Sequence, residues 1–239
     1  MEENNPYSSL EAPVAAFAAA SERAAFLKKV YGILFLGILG FAGTLWAAAN
    51  VALVNGWAVS MGEMIYGQRW GMFIYMGIFV AGSMAVNAVA MTRPINAIAY
   101  GLWSVLLGLL IAPLVLFVVE YKGVEVVSQA SGLTALVFGG TTLFVLFTGK
   151  DFKWLGGVLF AVMLTLVGVS ILGYFMGFSL GLWFSGLVVV VYVGYILYHT
   201  SEILHRLPTN MAMSAAILLF TDVVLLFKHI LILLASSRD

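Results

Sequence analysis

The 239-residue chain contains no cysteine, few prolines, three histidines and few charged residues. The absence of cysteine excludes disulfide bonds, thiolate metal ligands and cysteine nucleophiles. Charged residues make up only 9% of the sequence, and basic and acidic residues are equal in number, at 11 each. Because this balance gives no excess of positive charge, the composition does not point to a nucleic-acid partner.

Apolar residues dominate instead, at 63% of the chain with a mean hydropathy of +1.07. A soluble domain of this size needs far more charged surface than this composition supplies. Stretches of about 17 to 25 apolar residues are long enough to cross a lipid bilayer as helices. We therefore predict an all-α integral membrane protein with seven transmembrane helices, at residues 30–53, 70–90, 95–119, 132–148, 154–177, 180–198 and 211–234.

The distribution of Lys and Arg predicts the orientation in the membrane. If the N-terminus is cytoplasmic, seven basic residues lie on the cytoplasmic side: Arg23, Lys28, Lys29, Arg93, Lys150, Lys153 and Arg206. Outside membrane depth, the other side has only Arg69, Lys122 and Arg238. This asymmetry follows the positive-inside rule and predicts a cytoplasmic N-terminus.

The first 25 residues differ from the rest of the chain. Residues 1–10 are polar and acidic, which is typical of a solvated tail, and they lack the basic start of a secretory signal. Ser21, Glu22 and Arg23 indicate a helix start. We predict a cytoplasmic tail with a short helix over residues 1–25, followed by a transmembrane domain over 26–239; an unstructured tether is the alternative.

Asp222 lies in the middle of the last apolar segment. A charge at that depth costs about 2.5 to 3.5 kcal/mol on insertion scales, so it needs a partner, a water-filled cavity or a proton. Ser214, Thr221 and Lys228 are spaced by seven, as are Asp222 and His229, which places the two series on neighbouring stripes of one helix face. This polar wedge predicts that the last helix lies inside the bundle, surrounded by the other six.

Lys228 and His229 lie nearer the far end of that helix, where anchoring at the interface is the ordinary role of such side chains. At the end of the sixth span, His199, Glu202 and Arg206 share one helix face, and Pro208 closes a turn back into the seventh span. We expect a protonated His199 to pair with Asp222 and to lose its charge near neutral pH. The alternative is that these groups only mark the interface.

Two stretches then point to a known family. The sequence YHTSEILH at 198–205, which ends at His205, followed by LFTDVVLLF at 219–227, resembles the C-terminal signature of the Bax inhibitor-1 family, also called transmembrane Bax-inhibitor-motif proteins. FGGTT at 138–142, TGKDFKWLGG at 148–157 and the third span with Pro113 are similar to other parts of that family. The C-terminal residues 235–239 are similar to its bacterial YccA branch, and the resemblance covers residues 25–239.

The resemblance implies a bundle in which six helices surround a central seventh. In some members, two carboxylates form a proton-sensitive latch over a calcium leak. His199 stands here at the first carboxylate position, and Asp222 or Thr221 at the second, depending on the side from which the motif is aligned. A histidine and one aspartate form a poorer site for a hard cation than two carboxylates do.

Two functions follow as expectations. Members of the YccA branch modulate the membrane-bound FtsH protease, and residues 1–20 could be the handle by which that protease engages this chain in a bacterial inner membrane. The alternative is a pH-sensitive cation leak around Asp222 and His199, with Ca²⁺ as a transported ion and no cofactor. Because zinc-protease, aspartyl-protease and rhomboid motifs are absent, we do not expect an enzyme. The sequence leaves the oligomeric state and any metal ligand open.

Overall fold

The computed structural model describes residues 12–68, 70–177 and 181–237, apart from the side chain of Tyr66. Over these ranges the protein is all-helical. Its helices are α1 (Ala20–Asn50), α2 (Ala52–Tyr66), α3 (Gly71–Ala88), α4 (Ile95–Lys122), α5 (Val124–Thr148), α6 (Leu155–Met176), α7 (Gly181–His205) and α8 (Ala212–Ser236). Residues 1–10, Arg69, Arg238 and the break between the fifth and sixth predicted spans, at 178–179, lie outside the described residues.

Seven of these helices are long and apolar enough to cross a membrane, which confirms the predicted number of spans. The remaining helix, α2, was not predicted. Its 15 residues rise about 22 Å, less than a hydrocarbon core of about 30 Å, and it is not among the seven. The backbone of Val51 is extended, so the chain changes direction there and α1 ends three residues before its predicted limit.

Two helices begin earlier than hydropathy predicts. The region before α1 is not a separate short helix, because α1 runs without interruption from Ala20 to Asn50. Similarly, α5 begins at Val124 instead of residue 132, since Gly123, with φ of +90°, turns the chain before a polar first part of the helix. Polar residues lower the mean hydropathy of a helix end, so hydropathy does not predict it, but they do not prevent helical hydrogen bonding.

The last helix, α8, lies inside the bundle. It contacts α1, α3, α4, α5 and α7, while α6 packs against α7. In an apolar 18-residue segment of each candidate span, half of the residues are buried in α8 and in α4. In the other five candidate spans, 28% or fewer are buried. The polar wedge of α8 therefore faces protein and not lipid, as its pattern predicts.

Glycine residues allow close approach between helices at some positions and not at others. A Cβ atom built on Gly108 of α4 would lie 2.6 Å from Cβ of Thr44 in α1, and one on Gly37 would lie closer still to the Tyr100 ring. Nothing lies within 4 Å of such an atom at Gly43, Gly139 or Gly140, so these glycines have open space around them. Close packing by glycine is thus found between α1 and α4.

One end of the bundle, here called the hairpin end, contains the α7–α8 turn at residues 206–211. The start of α1 and the α3–α4 and α5–α6 connections lie at the same end, because shared cavities are lined by Arg23, Gly149 and His205 and by Lys29, Arg93 and Asn210. This is the end at which the basic residues cluster. The cytoplasmic location of that end stays a prediction.

Candidate functional site at the C-terminal hairpin

The centre of the site is a contact between α7 and α8. Nδ1 of His199 lies 2.6 Å from Oδ2 of Asp222, a distance that requires a hydrogen atom between them. Only 5% of the surface of Asp222 is exposed. The two side chains, here called the buried pair, satisfy the requirement that a carboxylate at this depth has a polar partner.

The structure resolves which of two adjacent residues faces His199. Asp222 points toward α7, whereas Thr221 points toward α4, where its Oγ1 accepts a hydrogen bond from Nε1 of Trp103 at 3.3 Å. The Thr221 hydroxyl donates to the carbonyl oxygen of Ile217 at 2.9 Å. Because one residue turns a helix by about 100°, the two side chains cannot serve the same neighbour.

A column of rings continues from the buried pair along α7. The ring centroid of His199 lies 5.6 Å from that of Tyr195, which lies 6.2 Å from that of Tyr192. The Tyr192 ring stacks on His229 of α8 at 5.8 Å. Nδ1 of His229 is buried and has no hydrogen-bond partner among the described residues, and the ring packs against α7.

The other predicted polar residues of α7 lie toward the hairpin end. Glu202 lies close enough to His199 to interact electrostatically with it, and its carbonyl oxygen accepts hydrogen bonds from the backbone of Arg206 and Leu207. The Arg206 side chain does not join the buried pair. Its Nη2 lies 2.5 Å from Oδ2 of Asp151, in the α5–α6 connection.

Arg206 belongs to a second polar cluster, here called the loop clamp, which holds the α5–α6 connection against α7. It consists of Asp151, Ser201, His205 and Arg206. The Phe152 backbone N–H donates to Oγ of Ser201 at 2.9 Å, and His205 contacts the Ser201 and Gly149 carbonyl oxygens at 2.9 Å and 3.1 Å. The clamp therefore connects two helical hairpins directly beyond the buried pair.

The ion pair in the loop clamp changes the ionisation of both partners. The Arg206 side chain and the Lys153 backbone N–H both donate hydrogen bonds to Asp151, and these bonds lower the pKa of Asp151 to about 2. The same hydrogen bond raises the pKa of Arg206. Both groups are therefore charged throughout the physiological range.

Sequence reasoning missed Asp151, Ser201 and Tyr195, although residues 148–157 and 198–205 were noted as motifs. The contacts of Asp151 and Ser201 join segments about 50 residues apart, as between Phe152 and Ser201, and no local spacing encodes such a contact. Tyr195 instead contacts Tyr192 and His199 on its own helix. The one available signal was the short polar sequence TGKDFKW between two apolar spans.

The N-terminal segment is attached to the same end. Residues 13–18, here called the strap, lie against the α7–α8 turn. The Ala15 N–H donates to the Leu207 carbonyl oxygen at 3.0 Å, and the Thr209 N–H donates to the Pro13 carbonyl oxygen at 3.0 Å. Ala15 is fully buried. The strap thus holds Pro13 and Ala15 against the α7–α8 turn.

No group of three or more histidine or acidic side chains that could hold a metal ion occurs within the described ranges. The buried pair supplies one carboxylate and one imidazole, a donor set less suited to a hard cation such as Ca²⁺ than several carboxylates. Its chemistry is that of a titratable contact between two helices.

Seven helices that are long and apolar enough to cross a membrane define a polytopic membrane protein. The family model described as inhibitor of apoptosis-promoting Bax1 matches residues 23–239, so the chain belongs to the Bax inhibitor-1 family. This confirms the resemblance in the C-terminal motifs.

Three relatives illustrate the range of the family. The chain is 30% identical to the Golgi anti-apoptotic protein of Vaccinia virus (strain Lister), covering 90% of this chain and 87% of the relative. It is 31% identical to protein lifeguard 4 of Mus musculus, covering 87% and 84%. It is also 29% identical to the modulator of FtsH protease YccA of Escherichia coli (strain K12), over 66% of this chain and 73% of that protein.

Proposed function

We propose that this protein binds an FtsH-type membrane protease in a bacterial inner (plasma) membrane and modulates its action. The similarity to the Escherichia coli modulator carries this proposal. The strap supports it, because the Ala15–Leu207 hydrogen bond brings the N-terminal residues to the hairpin end, where basic side chains cluster. A protease domain in the cytoplasm would meet the tail and the hairpin end together if the N-terminus is cytoplasmic.

The test separates the tail from the strap. Deleting residues 2–11 leaves the strap intact, and replacing them with a Gly/Ser sequence of equal length is the matched control for length. We expect the deletion to reduce co-purification with the protease and to slow the turnover of this protein several-fold. If neither the deletion nor the Gly/Ser replacement changes binding or turnover in cells, the proposed role of the tail is wrong.

The orientation is tested in the same cells. Because the chain contains no cysteine, single substitutions such as Ser8→Cys and Glu125→Cys give unique labelling sites. With a cytoplasmic N-terminus, a membrane-impermeant maleimide labels Cys at 125 in intact spheroplasts and labels Cys at 8 only after lysis. The reverse pattern would place the hairpin end outside.

The second candidate is a pH-sensitive cation leak, favoured by the buried pair. One proton shared between His199 and Asp222 makes the pair a contact of opposite charges, and a second proton would remove that attraction. Other titratable groups near the pair, among the described residues, include Glu202, Tyr192, Tyr195 and Tyr198. Loss of the attraction would loosen α8 against α7 and favour passage of a cation through the bundle.

Flux measurements in liposomes test this candidate. We expect Ca²⁺ flux to be greater at about pH 6 than at about pH 8 in the wild type and to lose this difference in Asp222→Asn. Glu125→Gln, which removes an exposed carboxylate at the start of α5, is the matched control and should behave like the wild type. Flux no greater than in empty liposomes would exclude the leak and leave the protease modulator.

A further inference from the structure

Lys228 is a cation inside α8 that the buried pair does not use. It lies six residues beyond Asp222, about 9 Å further from the hairpin end. Its Nζ donates to Oη of Tyr75 in α3 at 3.3 Å and lies 4.6 Å from the centre of the Tyr75 ring. Among the described residues no carboxylate forms an ion pair with Lys228. An ammonium group has three N–H donors, so two remain for another acceptor.

These donors are next to a cavity of about 450 Å³ at the end opposite the hairpin end. Lys228, Tyr75, Gln68 and Tyr174 supply polar atoms to its wall, and Ile65 and Met72 supply apolar surface. The Tyr75 hydroxyl accepts from Lys228 and retains its own hydrogen for donation. The cavity thus combines one positive charge with several hydrogen-bond donors, a combination that recognises an anion.

An aromatic surface adjoins the cavity. The Phe73 ring lies 6.0 Å from Tyr174, 5.7 Å from Phe175 and 5.8 Å from Trp70, measured between ring centres. Trp70 is 60% exposed and Phe175 57% exposed. Tyr174 belongs both to this surface and to the cavity wall. Aromatic side chains of this kind are enriched where a bundle meets the headgroup region of a bilayer.

We propose that the cavity binds the headgroup of an anionic phospholipid. The phosphate accepts hydrogen bonds from Lys228 and Tyr75, while Phe73 and Phe175 contact the apolar part of the lipid next to its headgroup. The volume suits a headgroup, and the exposed rings beside the opening provide the apolar contact that a soluble anion would not use. This proposal does not depend on either function proposed above.

Native mass spectrometry of the full-length protein in detergent tests the site, with phosphatidylglycerol and phosphatidylcholine as probes. We expect one phosphatidylglycerol to bind the wild type more tightly than phosphatidylcholine does. Lys228→Gln should weaken phosphatidylglycerol binding at least tenfold, and Lys228→Arg should restore most of it. Lys28→Gln, which removes the same charge from an exposed position at the hairpin end, should leave binding unchanged.

Inorganic phosphate separates a lipid from a soluble anion, because it should not displace the bound phosphatidylglycerol. The proposal is overturned if phosphate displaces the lipid, if both lipids bind equally, or if Lys228→Gln binds as the wild type does. If Lys228→Gln does not fold, Tyr75→Phe tests the same site, because it removes one hydroxyl group without changing the charge. A loss of phosphatidylglycerol binding of about threefold or more is expected for it, and wild-type binding would contradict the proposal.

Discussion

Asp222 of α8 lies 2.6 Å from His199 of α7, so the two helices of the C-terminal hairpin are joined by a polar contact inside an apolar bundle. The partner of the carboxylate is one helix away and 23 residues earlier in the chain. Removing one member of such a pair differs physically from removing both, because the remaining member is left buried without its partner.

The first prediction concerns this difference. Asp222→Ala should destabilise the protein by about 3 to 5 kcal/mol, the usual cost of breaking a buried pair. The double variant His199→Leu/Asp222→Leu should recover most of that loss, since no unpaired polar group remains. Thermal unfolding in detergent measures both variants. A double variant less stable than Asp222→Ala would show that the pair itself stabilises the bundle.

The second prediction concerns acid. The lowered pKa of Asp151, about 2, means that its contribution to stability is present above the ordinary carboxyl pKa near 4 and is lost as the pH falls from about 4 to about 2. Asp151→Asn should therefore reduce the pH dependence of thermal stability in this range. The effect is small because the carboxylate is half-exposed. An unchanged pH dependence would contradict the pairing with Arg206.

The third prediction concerns the α5–α6 connection. Ser201→Ala removes the oxygen that accepts the Phe152 N–H, so exchange of that amide with deuterium should accelerate by about fivefold, corresponding to about 1 kcal/mol for one hydrogen bond. Hydrogen exchange of the peptide containing residues 149–154 measures this. Ser131→Ala is the control, because that hydroxyl bonds within its own helix and is exposed. Equal exchange in both variants would refute the clamp.

The fourth prediction compares two glycines at the α1–α4 contact. Gly108→Ala should cost about 1 to 3 kcal/mol, since its new methyl group would meet the Thr44 side chain and the Phe41 carbonyl oxygen. Gly43→Ala has open space around it and should be neutral or stabilising by up to about 1 kcal/mol. Unfolding in detergent distinguishes them, and equal stabilities would contradict the close packing of α1 on α4.

Local pattern was sufficient for much of the fold. Composition and segment length predicted the number of membrane-spanning helices, and the spacing of Thr221, Asp222, Lys228 and His229 predicted that α8 faces protein. These features depend on the apolarity of a single segment or on the periodicity of a single helix, both of which are written in consecutive residues. Helix α2 was not predicted, because its 15 residues are fewer than the length required of a membrane-spanning helix.

The sequence alone therefore determined that this is a helical membrane protein with a carboxylate at depth, and its motifs identified the family. Only the tertiary structure decided that Asp222 faces His199 while Thr221 faces Trp103, and that Arg206 pairs with Asp151. The physical reason is that a helix presents every side chain at a fixed angle, but the neighbour at that angle depends on how whole helices pack. Packing brings together residues from distant parts of the chain, and no local spacing records it.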